Sequence, residues 1–405
     1  MIYFVIFAYL FVLALLYDVL GYRKHYNWHF VVSLIILILV SGFRYRLGAD
    51  TATYMGYYDR YCHDIFHLSR KDFSDYVYNY EPLWVILNSF CKTITGSFYL
   101  VQLSVSTIHI LTWGYFIKKV CPSICFIMLV FFFLFEWLHM DFVLMREAVA
   151  IAFFLLSILA INNKQFFRAI LFTIIAMLFH RFSIMVFILL FLYYSLLSKY
   201  RYLGILSVML FIGIGLVKQN WIYDVLGGLV GVDSVYAEKM VAYGDSGQFG
   251  IAHWSWKGEF ILYASVVFYL ISIYWIKDRY DKYSLLNHKI FESAIIVGCI
   301  ILSIKTSFPI AYRFYDYIQT FTSLLCTIVL MQLKDYNILL KYKLLIFIIY
   351  MFFPIRHFYS SYIKSEWGGN PNVKRFLEFY PYHSILDPQK DTNREMGIMN
   401  YKRFK

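Results

Sequence analysis

"MIYFVIFAYLFVLALLY" (residues 1–17) contains no charged side chain. A helix rises about 1.5 Å per residue, so such a run reaches across most of a hydrocarbon core about 30 Å thick. Runs of the same kind, such as "ILYASVVFYLISIYWI" (261–276), recur along most of the chain. Of the 405 residues 61% are hydrophobic and 15% charged, with a mean hydropathy of +0.61, far from the balance of a soluble domain. The pattern predicts an all-α polytopic membrane protein, one integral-membrane domain over 1–405. The first run lacks the basic n-region and small-residue cleavage site of a signal peptide, so it is expected to remain as a helix.

Twelve spans are predicted, at about 2–20, 27–42, 98–117, 121–137, 142–161, 166–180, 182–197, 202–217, 258–276, 290–307, 317–333 and 342–354. Several fall short of 20 residues, which points to tilted or broken helices. "PLWVILNSFCKTITG" (82–96) is short and interrupted, and reads as an interfacial or re-entrant helix. The remaining long segments are an outer-face loop over 43–97, another over 218–257 and an extramembrane tail over 355–405.

The short connections after odd-numbered spans are basic: Arg23 and Lys24, Lys118 and Lys119, Lys164 and Arg168, Lys199 and Arg201, Lys277 to Lys289, then Lys334, Lys341 and Lys343. By the positive-inside rule these are cytoplasmic, and twelve spans place both termini outside. The tail is itself basic, which runs against that side, although the rule weakens for long segments. On this reading every unusual segment shares the non-cytoplasmic face: 43–97, "EWLHMDFVLMREAVA" (136–150), "FHRFS" (179–183), 218–257, "FPIAYRFYDY" (308–317) and the tail.

The +12 formal charge lies in short clusters between apolar runs, unlike a nucleic-acid-binding surface. Much of the aromatic content, 38 Tyr, 40 Phe and 9 Trp, suits an interfacial belt, and the remainder suits platforms for sugar rings or polyprenyl chains. The six cysteines lack zinc-like spacing; Cys121 and Cys125 read as packing residues, and pairing of Cys62 with Cys91 is left open. No P-loop, Gly-rich nucleotide motif or HExxH occurs, so neither cofactor nor metal is expected, and energy for any synthesis has to arrive with the substrate.

Ionisable residues at or inside membrane helices are costly. Arg44, Arg146, Arg181 and Arg313 all emerge on the same predicted face. Each has a bland explanation as a snorkelling charge or a local ion pair, such as Arg313 with Asp316 one turn on. Taken together they suit the pyrophosphate of a membrane lipid, because guanidinium forks bind phosphate and stay charged. Arg46 faces phosphate or serves as an anchor. Asp50, Glu81, Asp141, Glu147, His180 and Asp316 are candidates to take a proton from an attacking hydroxyl. Tyr54, Tyr57 and Tyr58 offer stacking surfaces. The 218–257 loop, with Trp254 and Trp256, suits a carbohydrate-handling lid or a plain structured loop.

"FRYRLGADTATY" (43–54), "YEPLW" (80–84), "MREAVAIA" (145–152), "FHRFS" (179–183), "YRFYDY" (312–317) and "FYPYHSIL" (379–386) resemble, in order, motifs of the EpsG-like family of Wzy-type O-antigen and exopolysaccharide polymerases. Where that family usually has a small or polar residue after the arginine of its "MR" motif, Glu147 stands here. The resemblance implies a glycosyltransferase of the bacterial inner membrane with its active face towards the periplasm or cell exterior. It would pass a growing glycan from undecaprenyl pyrophosphate to the non-reducing end of the next lipid-linked repeat unit, by an inverting, metal-independent displacement. Arg44, Arg146, Arg181 and Arg313 would hold the leaving pyrophosphate, with Arg46, Asp316, Tyr54 and Trp254 as further substrate contacts. Asp50 or His180 would be the base, with Glu81 third. A separate chain-length regulator is an implied partner. Rival readings are a lipid-linked oligosaccharide flippase, a polyprenyl-phosphate-dependent glycosyltransferase or ligase, and an acyltransferase using His180 or His139.

Overall fold

The computed structural model describes residues 2–73, 80–195, 199–217, 256–277, 280–308, 311–335, 340–367, 370–392 and 394. Apart from one antiparallel pairing of β1 (Glu366–Trp367) with β2 (Asn370–Lys374) and an isolated antiparallel bridge between Arg44 and Ser384, the described secondary structure is helical. Helices stand at the predicted span positions, but length and apolar character do not make all of them spans. Six are long and apolar enough to cross a membrane: Ile2–Val19, Tyr99–Val120, Cys125–Phe142, Met145–Asn162, Trp256–Trp275 and Leu344–Lys364. Five more are apolar but shorter, at 10–17 residues: Tyr26–Gly42, Phe166–Phe179, Ser183–Ser195, Tyr202–Leu216 and Gln319–Leu333. The chain is thus a helical, multi-span membrane protein.

Two compact units form. The first comprises Met1–Ser183, Tyr283–Leu285 and Leu330–Lys405; the second comprises Ile184–Lys282 and Leu286–Val329. In the first unit, α1 (Ile2–Val19) lies on α6 (Cys125–Phe142), and α2 (Tyr26–Gly42) lies along α5 (Tyr99–Val120). α5 in turn packs on α7 (Met145–Asn162), which pairs with α8 (Phe166–Phe179). α3 (Thr51–Arg60) and α4 (Pro82–Ile94) carry the connection between α2 and α5, and α4 rests against α8.

The close approach of α2 to α5 depends on missing side chains. A Cβ on Gly114 would stand 2.5 Å from Leu34 Cδ1, and one on Gly42 would stand 2.7 Å from Leu103 Cδ1. Small residues that let backbones approach are the usual means of helix association where apolar surroundings supply no hydrophobic drive. The last turns of α1, Ala14–Val19, are π-helical and carry the buried Asp18. Its Oδ2 accepts the Ile127 N–H at 2.8 Å, so α1 caps the start of α6.

In the second unit, the helix His288–Ile304 packs against Arg201–Leu216 and Trp256–Trp275. Thr306 and Ser307 hydroxyls both donate to the Gly215 carbonyl, at 2.8 and 2.7 Å.

The C-terminal segment is bonded to the first loop. Tyr45 N–H donates to the His383 carbonyl at 2.8 Å, and Ile385 N–H donates to the Phe43 carbonyl at 2.9 Å. Gly48 N–H reaches the Glu378 carbonyl at 3.1 Å, and Tyr382 Oη reaches the Val40 carbonyl at 3.0 Å. Gly48 is required here: its φ is +96°, and a Cβ would lie 1.8 Å from the Phe142 carbonyl oxygen. Segments 43–49 and 378–385 therefore lie at one end of the unit, on one side of any membrane it spans. Cys62 and Cys91 are both free, buried thiols, with Ser89 Oγ 3.7 Å from the first and Ser104 Oγ 3.8 Å from the second.

Candidate functional site

Local chemistry places Glu81. Pro82 occupies the first turn of α4, where its missing N–H costs nothing, and it confines the preceding residue to extended backbone. Glu81 accordingly sits at the N-cap with φ −67° and ψ 149°, and its side chain does not cap the helix. Instead Glu81 Oε2 accepts Arg146 Nη1 at 2.5 Å, and Oε1 accepts Arg181 Nε at 3.3 Å and the Arg181 backbone N–H at 3.4 Å. One carboxylate is shared by two guanidinium groups.

Arg146 is the second residue of α7, where the helix dipole opposes a cation and adds positive potential. It is held by aromatic rings: its guanidinium lies 4.6 Å from the Tyr80 ring centroid and 5.9 Å from that of Tyr54. Among the described residues its buried Nε has no hydrogen-bond partner. His180, 4% exposed, ends α8 in extended conformation, which turns Arg181 back towards α4. Burial alone would raise the Glu81 carboxyl, but Arg146, with His180 and Arg181, outweighs it and holds Glu81 below its ordinary value of 4.5. A depressed acid contributes stability above its ordinary pKa and loses it as pH falls through the folded value. The contacts are therefore expected to be intact at neutral pH and to fail on acidification below about 4.5. Acid titration followed by hydrogen exchange at 81–84 and 180–183 checks this.

The guanidinium side chains keep an open side: Arg146 is 22% and Arg181 34% exposed, against 7% for Glu81. Such a pair, at the mouth of two helices, can receive a doubly charged phosphate group bidentately.

Arg44 is placed differently. It is fully buried, donating Nε to the Leu47 carbonyl at 3.3 Å, Nη1 to the Ser41 carbonyl, and Nη2 to Met145 Sδ at 3.2 Å. Its guanidinium lies 4.9 Å from the Phe142 ring centroid. Burial lowers its pKa to about 10, and the charge of Asp141 acts against that. Asp141 Oδ2 contacts His109 Nδ1 at 2.9 Å, with both side chains fully buried. Arg44 thus ties the 41–47 turn to the start of α7, next to Arg146.

Arg46 adopts a left-handed conformation, φ +52°, on the same loop. Asp50 is half-buried at the N-cap of α3 without capping it, and its charge acts on Glu378. Tyr54, Tyr57 and Tyr58 are buried. Tyr54 packs on Trp84, Tyr57 on Tyr80 and Tyr58 on Phe98, with ring centroids 5.2, 4.8 and 5.6 Å apart. They wall the site more than they project from it. Arg313 and Asp316 belong to the second unit, on the helix Ala311–Asp316, where Arg313 Nε donates to Tyr312 Oη at 3.4 Å. Trp254 and residues 218–255 of the expected lid lie outside the described residues. Among the described residues no cluster of three or more His, Cys, Asp or Glu could hold a metal ion.

Two features escaped sequence reasoning. Tyr80 backs Arg146, and only its place in "YEPLW" hinted at it. Glu378, in a tail without apolar periodicity, accepts the Ala49 N–H at 2.8 Å and contacts Arg375 Nε at 3.6 Å. Burial, with the charge of Asp50 added, outweighs Arg375 and the Ala49 N–H and raises the Glu378 carboxyl above 4.5. A raised acid stabilises the fold most below its ordinary pKa, and that contribution falls away as pH rises through the folded value. Hydrogen exchange at 45–50 is expected to quicken over that rise. Glu378→Gln, fixed in a neutral form, should flatten the dependence. Glu378→Ala leaves the Ala49 N–H unpaired and should cost about 1–3 kcal/mol at every pH.

Apolar helices long enough to span a membrane, with a carboxylate-bridged arginine pair at the end of two of them, define a polytopic membrane protein. The chain belongs to the EpsG family, whose profile matches residues 27–370. That match takes in the 43–54, 80–84, 145–152, 179–183 and 312–317 motifs, and the 379–386 motif lies beyond it. No curated protein and no solved structure matches the chain.

Proposed function

We propose that this protein is a Wzy-type polysaccharide polymerase. It transfers a growing glycan from undecaprenyl pyrophosphate to the non-reducing end of a second lipid-linked repeat unit, with inversion and without a metal. The observation that carries the reading is the shared Glu81 contact, which gathers Arg146 and Arg181 from segments 65 and 100 residues away. Two guanidinium groups with an open side match a diphosphate leaving group, and their effect grows as the bond to the anomeric carbon breaks.

In the proposed reaction the acceptor hydroxyl oxygen attacks the anomeric carbon. The carbon–oxygen bond to pyrophosphate breaks, and its electron pair leaves on the phosphate held by Arg146 and Arg181. The hydroxyl proton passes to a group of the same site, Glu81 or His180. Arg44 acts here as a positioning residue for the 41–47 turn and α7. Asp50 stands by the Glu378 contact, as an acceptor-side residue. The short basic connections after odd-numbered spans support an outward-facing site on the inner membrane.

The test uses purified protein in nanodiscs with undecaprenyl-pyrophosphate repeat units and no nucleotide, and products resolved by mass. A ladder at multiples of the repeat mass is expected. Unchanged substrate from folded protein would overturn the polymerase and turn attention to transbilayer movement of the same lipid.

A further inference from the structure

We propose that Glu81 is the resident occupant of the pyrophosphate site, and that the donor substrate must displace it to make it the base. This rests on the assignment of Arg146 and Arg181 to the leaving pyrophosphate. Glu81 stands where that anion would bind, with each carboxylate oxygen on a different arginine. A carboxylate carries one charge, and a pyrophosphate ester carries more charge and more acceptor oxygens. The ester therefore competes effectively for both guanidinium forks.

Three observations make the exchange feasible. The guanidinium groups are partly exposed while the carboxylate is almost covered, so a ligand arrives on the arginine side. Arg146 holds its place without Glu81, through the rings of Tyr80 and Tyr54, and its buried Nε has no acceptor among the described residues. Glu81 is anchored by backbone that Pro82 restricts, so displacement is a side-chain rotation and not a rearrangement of α4.

Bound to two cations, Glu81 is a poor base. Released, it is a buried carboxylate beside a newly arrived anion, and both conditions favour taking up a proton. The acceptor hydroxyl then gives its proton to Glu81 as its oxygen bonds to the anomeric carbon, and the pyrophosphate leaves with the bonding pair onto Arg146 and Arg181. Without donor lipid there is no free base, so water is not activated at an empty site.

The experiment measures inorganic pyrophosphate and undecaprenyl pyrophosphate binding to full-length protein in nanodiscs, alongside ladder formation. In Glu81→Gln the competing charge is gone. Pyrophosphate affinity is expected to rise several-fold while kcat falls at least about 100-fold, in the range of a lost general base. Unchanged or weaker pyrophosphate binding by folded Glu81→Gln would overturn the displacement. Tighter binding with undiminished kcat would overturn the base. If Glu81→Gln does not fold, Glu81→Asp carries the same test, since it keeps the charge but is one methylene short for bridging both arginines. It too should bind pyrophosphate more tightly and turn over more slowly, and unchanged affinity sinks the proposal. Arg146→Ala and Arg181→Ala report on the underlying assignment: pyrophosphate affinity retained in both removes the anion site itself, whatever Glu81→Gln shows.

Discussion

Arg146→Ala and Arg181→Ala should each lower chain transfer by about 10²–10³-fold while leaving protein in the membrane. That is the usual cost of losing one positioned donor to a developing anion. Arg181 has the simpler case, because a third of its side chain is exposed and its Glu81 contact is longer. Arg146 also carries the Tyr80 ring contact, so its replacement loosens the wall around Tyr54 and Tyr80 as well. Arg146→Lys separates the two roles. Lysine supplies the charge and can still lie over the Tyr80 ring, but it lacks the planar fork, so it should recover only a small part of the activity. Chain-length ladders normalised to membrane-resident protein check both. Normal ladders from the two alanine variants would remove phosphate binding from this site.

Asp141→Ala should be among the most destabilising single changes in the first unit, by about 3–5 kcal/mol. Asp141 and His109 are fully buried, and the fully buried Arg44 feels the Asp141 charge. Removing the carboxylate leaves that guanidinium without an opposing charge in a region closed to water. Asp141→Asn keeps an oxygen for the His109 N–H and loses only the charge, so it apportions the two contributions. Arg44→Ala should also destabilise. The double variant should cost less than the sum, because the first change already removes the partner of the second. Heat survival in detergent, read by size exclusion, reports all four. Wild-type survival of Asp141→Ala would mean that Arg44 draws its compensation from the Ser41 and Leu47 carbonyls alone.

Much of the architecture was legible because membrane helices announce themselves by uninterrupted apolar length. The positions of the helices at 99–120 and 145–162 follow from that alone. Helices such as Phe166–Phe179 were harder to weigh, since fourteen residues do not cross a hydrocarbon core upright. The sequence singled out Arg146, Arg181 and His180 one by one, as ionisable residues opening or interrupting apolar runs, and Glu81 only as one of several candidate proton acceptors. Their meeting through Glu81 depends on α4 lying against α8, a long-range contact that periodicity does not encode. Arg44 shows the limit from the other direction. An arginine at a helix exit looks the same in sequence whether it faces a ligand or, as here, the carbonyls of its own turn. Glu378 was invisible because its role is to accept one backbone N–H 329 residues earlier.

The bonding of 378–385 onto 43–49 also sets an order of events during synthesis. The first loop leaves the ribosome hundreds of residues before the segment that completes it. Until then the Tyr45, Gly48 and Ala49 N–H groups lack their partners from the far end of the chain. A chain cut short before Arg375 would still thread its helices into the bilayer, yet its Asp50 turn would have nothing to close against. In such a protein the amides of Tyr45, Gly48 and Ala49 should exchange faster than in the longer chain, because their acceptors at His383 and Glu378 are gone.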